Sequence, residues 1–174
     1  HSMMESEPVG GEKCLFRTCY PVTLWPLNLT QAGMNGPPFA APEIATISSV
    51  ESVRHLQFRC ANKQLPIGQL GVDSLRFYLS GQRQFAHELY ELIFNNVTAV
   101  AVADGSRDAS PYLLGPECLQ PVGFEKEESL FPHNPRTARG YQLLAEYFAF
   151  PEKFLFVDLT GLEKALEGRE GQTF

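Results

Sequence analysis

Basic residues are in the minority in this chain: 14 Lys and Arg stand against 20 Asp and Glu, for a formal net charge of −6. A general nucleic-acid binder needs a basic surface, so that class is excluded on charge. Long hydrophobic runs are missing too, with no window approaching the roughly 18 apolar residues that mark a membrane-spanning helix. Cysteine is scarce: Cys14, Cys19, Cys60 and Cys118 are scattered without a C-x-x-C pair. A structural zinc site or a disulfide framework wants closer spacing, so these are expected to be buried free thiols. No G-x-x-x-x-G-K-[ST] phosphate loop, G-x-S-x-G elbow or H-E-x-x-H pair occurs. His1, His55, His87 and His133 lie far apart, and His87 has no second ligand one helical turn away. The start His1-Ser2-Met3 reads as the remnant of a cleaved tag, and the polar residues after Met4 form no signal peptide.

What remains is a globular composition of 44% hydrophobic and 20% charged residues, enough for one ordinary domain. Charge is unevenly placed. Arg54, Arg59, Lys63, Arg76 and Arg83 oppose the single acid Asp73, whereas Glu117, Glu125, Glu127 and Glu128 surround Lys126. Two solvated faces of opposite sign explain this most simply; charge-steered docking is the sharper reading.

Along the chain, residues 14–30 are rich in β-branched and aromatic residues with apolar groups on both faces, as in a strand covered on two sides. Pro21 and Pro26 favour an edge or bulge there. Residues 33–42 read as a loop. Residues 53–60 alternate cleanly, as do residues 75–79. A helix follows Gly81, with Phe85, Leu89, Leu92, Ile93 and Asn96 on one face and Glu88 and Glu91 on the wet side. Residues 98–103 read as a short strand closed by Asp104-Gly105, and residues 112–124 as an irregular one. A second helix is predicted over 141–148, with Tyr141, Leu144 and Phe148 on one face, stopped by Pro151. Residues 154–159 then read as a strand. This order predicts an α+β fold, mainly β, with β-sandwich-like sheets and two short helices.

The candidate chemistry is thin. Asp104 to Asp108 resembles a calcium loop but lacks the bidentate Glu, so a polar turn is expected. Glu125, Glu127 and Glu128 could be paired carboxylates for glycoside chemistry, or Glu125 or Glu127 with His133 a hydrolase site; an acidic patch is the simpler reading. Asn28-Leu29-Thr30 matches a glycosylation sequon but has no secretory context. Trp25 and the tyrosines could line a carbohydrate- or peptide-binding face of an aromatic-rich β-sandwich, although one tryptophan in an apolar strand is more often core.

Phe124, Phe131, Tyr141, Tyr147, Phe148, Phe150, Phe154 and Phe156 crowd residues 121–159, punctuated by Pro121, Pro132, Pro135 and Pro151. Such a run reads as a docking or scaffold element, with Tyr147, Phe148, Phe150, Pro151 and Phe154 mainly architectural. Three blocks carry a resemblance. They are Phe16-Arg17-Thr18 with Val22-Thr23-Leu24-Trp25-Pro26-Leu27; Leu75 to Gly81 leading to Leu89-Tyr90-Glu91-Leu92; and Pro121-Val122-Gly123-Phe124, Pro135-Arg136 and Gly140 to Phe154. In order and spacing they resemble the TssF (VasA/ImpG) baseplate subunits of the bacterial type VI secretion system, over nearly the whole of residues 14–162.

The resemblance implies an internal fragment of a longer structural protein of the baseplate wedge, similar to wedge proteins of contractile phage baseplates. It implies no catalytic activity and no cofactor or metal. Its implied partners are TssG and TssK, with TssE, the VgrG spike and a second TssF copy beyond them, and neither nucleic acid nor direct membrane insertion. The implied place is the bacterial cytoplasm, at a baseplate docked to the inner-membrane complex. The expected layout is a flexible lead-in over 1–13, one β-rich domain over 14–162 and a tail over 163–174. Arg136, Arg139, Glu125, Glu127 and Glu128 are the candidate interface residues, because Arg forms planar contacts to carboxylates. His133 stands in a turn that departs from the family pattern, so no role is carried onto it.

Overall fold

The computed structural model describes residues 2–39, 50–105, 108, 110–132 and 136–174. Among the described residues run nine strands and three helices, a mixed α+β fold that is mainly β. The chain divides into two compact units, one of residues 25–120 with 157–174, the other of residues up to 24 with 121–156.

The larger unit is built on a ribbon of β3 (Leu27–Asn35) and β4 (Val53–Cys60), paired antiparallel. The register shifts between Leu29 and Gln31, so Thr30 is an extra residue, a β-bulge. Alternation along β4 buries Phe58 and Cys60 on one face. The last residues of the chain pair with the other edge of β4: the Phe58 amide donates to the Phe174 carbonyl at 2.8 Å and the Cys60 amide to that of Gln172 at 2.8 Å. The Phe174 ring stacks on Phe58 at 5.1 Å. Ile67, Val72, Leu75 and Val102 complete the apolar core with Leu162, Ala165 and Leu166, and Trp25 packs against it partly buried. Leu162, Ala165 and Leu166 belong to α3 (Leu162–Leu166), which begins after Gly161 at φ 78°, a left-handed value that glycine adopts without strain. The unit also holds β5 (Leu75–Tyr78), α1 (Arg83–Asn96), β6 (Val100–Val102) and β7 (Tyr112–Leu114). β6 pairs antiparallel with β7. A further sheet has the order β5-β9-β8, where β8 is Leu119–Pro121 and β9 is Phe156–Leu159, the two strands along which the chain leaves one unit for the other.

The smaller unit contains the antiparallel pair β1 (Met3–Glu5) and β2 (Leu15–Arg17), and α2 (Arg139–Ala149) followed by a 3-10 turn over Pro151–Phe154. Val122, Phe154 and Leu155 are its buried apolar residues. Gly123 sits among them at φ 103°, where a Cβ would lie 3.0 Å from the Tyr20 hydroxyl and 3.1 Å from the Lys153 carbonyl, so close packing and backbone shape both demand glycine.

Several expectations need correction. The apolar stretch over 14–30 is two strands, β2 and the start of β3, because Pro21 and Pro26 lack the amide hydrogens that a continuous ladder requires. Gly33 lies inside β3 rather than in a loop: it faces His55, whose ring would sit 2.5 Å from an added Cβ, so the missing side chain makes room for the cross-strand imidazole. Residues 36–39 lie outside any strand, as expected, and residues 40–42 lie outside the described residues. The irregular strand over 112–124 is β7 and β8 joined by a 3-10 turn at Pro116–Cys118. Helix α1 is rotated from the predicted face. Ala86 is buried while Phe85 and Leu92 are exposed, and Tyr90 pairs with Phe94 at 4.6 Å on the better-covered side. A third helix, α3, begins at Leu162. The expected lead-in includes β1, and the expected tail includes most of α3 and the core-packed Phe174. Of the cysteines, all free, Cys60 and Cys118 are buried but Cys14 is exposed.

Candidate functional site

The most unusual chemistry in the molecule lies beneath α2. Gln142 and Glu146 stand one helical turn apart, so they share a face. That face turns inward, and Glu146 is fully buried at 0% exposure. Pro151 ends the helix and starts the 3-10 turn, which brings Lys153, at 1% exposure, back under α2 to pair with the Glu146 carboxylate. Glu146 Oε1 also accepts from Ser129 Oγ at 2.5 Å, the Leu130 amide at 3.1 Å and Gln142 Nε2 at 3.3 Å. Burial by itself would raise the Glu146 carboxyl, but hydrogen bonds from Lys153 and Ser129 and the lysine charge outweigh it and hold the group below its ordinary value. The Lys153 carbonyl accepts from the Tyr20 hydroxyl at 3.0 Å, and the Lys153 ammonium lies 4.9 Å from the Phe154 ring centre. Among the described residues, no buried side-chain nitrogen or oxygen lacks a hydrogen-bond partner. The network is closed, with no uncommitted carboxylate or amine facing a substrate. Its chemistry is that of a brace.

Turning a glutamate inward turns the apolar stripe outward. Tyr141 is 74% exposed and Phe148 78%, with Leu144 beside them, whereas Phe154 is buried. Of the aromatics expected to be architectural, Phe154 is, and Phe148 is a surface residue. The hydrophobic period of α2 is legible in the sequence; its inward direction is not, because the buried face is held by polar groups.

The candidate interface residues fall in the same unit, before α2 and at its start. Glu125 is the residue preceding a 3-10 turn over Lys126–Glu128, and Glu128 reaches back to accept from the Gly123 amide at 2.7 Å and the Glu125 amide at 3.1 Å. Glu128 is therefore a local cap. Arg139 Nη2 stands 3.9 Å from Glu125 Oε2, both exposed, and Glu127 and Arg136 are exposed as well. His133, and with it any pairing with Glu125 or Glu127, lies outside the described residues.

In the larger unit the predicted polar turn is a receptor for an arginine. Arg169 Nη1 donates to Asp104 at 2.7 Å and Asp108 at 3.0 Å, while its other nitrogens donate to the Val102 and Ala165 carbonyls. Asp108 accepts backbone amides from Ser110 and Asp104 as well as the arginine, and its pKa is lowered to about 2. Arg169 takes the place a cation would need. Among the described residues, no group of three or more His, Cys, Asp or Glu could hold a metal ion. No helix among them is long and apolar enough to cross a membrane. The brace and the arginine receptor were both missed in the sequence. The one available signal was a lone Glu inside the apolar run 143–150, followed seven residues later by Lys153 across Pro151.

The site is thus a closed brace beneath α2, with Tyr141 and Phe148 exposed on the helix's other side. The family model described as "Type VI secretion system, TssF" matches residues 1–174, and the chain belongs to that family. It is 38% identical over 166 residues to the type VI secretion system component TssF1 of Pseudomonas aeruginosa, a match covering 95% of this chain and 27% of that protein. It is also similar, with a TM-score of 0.75 and 27% identity, to a chain of the TssK-TssF-TssG baseplate subcomplex of the type VI secretion system solved by cryo-electron microscopy. That match covers 99% of this chain and 30% of the other. The chain thus spans less than a third of the length of the relatives it matches.

Proposed function

We propose that this chain is a structural segment of the type VI secretion baseplate wedge, without a catalytic role of its own. The observation that carries the reading is its likeness, over nearly its whole length, to a chain of the TssK-TssF-TssG subcomplex. The closed ion pair under α2 supports it, since a satisfied network stiffens a scaffold and leaves no reactive group to spare. TssG and TssK are the partners proposed first, with TssE, the VgrG spike and a second TssF copy as further neighbours in the assembly. The proposed place is the cytoplasmic baseplate, docked to the membrane complex of the apparatus.

Within the smaller unit, exposed Glu125, Glu127, Arg136 and Arg139, with the half-buried Glu128, form a charged rim that we assign to partner contact. Rim charges of this kind act mainly on association rate and salt dependence. The test is co-purification of the natural protein containing this chain with tagged TssG. The reading expects a stoichiometric complex, slowed in association by Arg136→Glu and Arg139→Glu together. Failure of the unmodified protein to bind TssG and TssK would overturn it.

A further inference from the structure

We propose that an open cleft on the outer face of the β3–β4 ribbon is a docking site for acidic side chains of a protein partner. Cross-strand register carries the argument. Asn28 pairs directly with Arg59, and Arg59 in turn bridges Thr173. Directly paired residues point to the same side of a sheet. Phe58 and Cys60 are buried on the other side, so Asn28, Arg59 and Thr173 form a polar row on the open side. Lys63 and Gln172 wall that row, and the Gln172 amide donates to the Lys63 carbonyl, fixing one to the other. The cleft they line holds about 610 Å³.

Its charge is one-sided. The lining contains Arg59 and Lys63 and no carboxylate. Five cations elsewhere are matched: Lys13 with Glu5, Arg76 with Asp158, Arg139 with Glu125, Lys153 with Glu146, and Arg169 with Asp104 and Asp108. Among the described residues, Arg59 and Lys63 have no acid within ion-pair distance. Charge complementarity therefore selects an anion. Volume selects its source: 610 Å³ is the size of a site that takes several groups together, far more than one phosphate fills. The amides of Asn28 and Gln172 and the Thr173 hydroxyl supply the neutral donors and acceptors that a peptide backbone needs beside its carboxylates.

The inference goes beyond the scaffold reading, because its test uses no baseplate subunit and its failure leaves the co-purification result standing. The probe is a hexaglutamate peptide titrated into the chain and followed by residue-resolved NMR shifts. Shifts at Asn28, Arg59 and Thr173 are expected. Arg59→Glu with Lys63→Glu should weaken binding about tenfold or more, while Arg54→Glu, on the same strand but outside the cleft, should change it about twofold or less. Should the reversed pair fail to fold by circular dichroism, Arg59→Gln with Lys63→Gln carries the same test with charge removed rather than reversed. Absence of hexaglutamate binding would overturn the proposal, as would equal weakening by Arg54→Glu. Inorganic phosphate binding at the cleft as tightly as the peptide would overturn the assignment to a protein segment.

Discussion

In the larger unit the buried positions are taken by Phe58, Ile67, Val72, Leu162 and Leu166, whereas in the smaller unit they include Glu146 and Lys153. The larger unit turns its strand alternation and its short α3 inward in the ordinary way, so burial of apolar area stabilises it. The smaller unit presents Tyr141, Leu144 and Phe148 outward and encloses an ion pair. Desolvation opposes such a pair, and replacing both partners by apolar groups is often neutral or better. The contrast lies in what is enclosed: apolar groups in the larger unit, and in the smaller unit an ion pair as well, with Tyr141 and Phe148 left on the outer side of α2.

The sharpest way to break the comparison is to strand one charge. Glu146→Ala should cost about 3–5 kcal/mol in urea unfolding, while Glu146→Leu with Lys153→Leu should cost clearly less, because it strands no charge and leaves only neutral donors such as the Leu130 amide without their acceptor. A loss below about 1 kcal/mol for the single change would mean the pair is hydrated rather than buried. Next is the apolar core: Leu162→Ala should cost about 2–5 kcal/mol by calorimetry, with no polar double substitution able to restore it.

A smaller effect comes with acid and has the same sign in both units. The folded Asp108 carboxyl titrates at about 2, below the unfolded value of roughly 3.9, so its stabilising share is present above pH 4 and is lost as pH falls towards 2. Asp108→Asn should flatten that part of the acid-unfolding profile; an unchanged profile would remove Arg169 from the account. Glu146 follows the same sign, its lowered value making the brace weaken as pH falls. The smallest effect belongs to Phe148→Ala, which should shift stability by no more than about 0.5 kcal/mol because the ring is already in solvent.

Much of the fold was legible in residues. The alternation of Val53 to Cys60 and of Leu75 to Tyr78, the helix after Gly81 and the helix stopped by Pro151 all follow from period and punctuation. What failed has one physical cause. Period marks a face of an element but not which face is covered, and in α2 the polar side is covered because Lys153 and Ser129 wait beneath it. Likewise, Asp104 and Asp108 were legible as a polar turn, but Arg169, 61 residues from Asp108, is visible only once α3 brings it there. The family resemblance was legible because it rests on long blocks such as Glu146 to Phe154. The roles inside those blocks were not.

Hydroxyl-radical footprinting of the chain tests the central contrast most directly, since it reads the solvent access of each aromatic ring in one experiment. Tyr141 and Phe148 should be modified rapidly, while Phe154 and Phe58 stay protected until the protein unfolds. Protection of Phe148 equal to that of Phe154 would contradict an α2 that faces its aromatics outward over a buried ion pair.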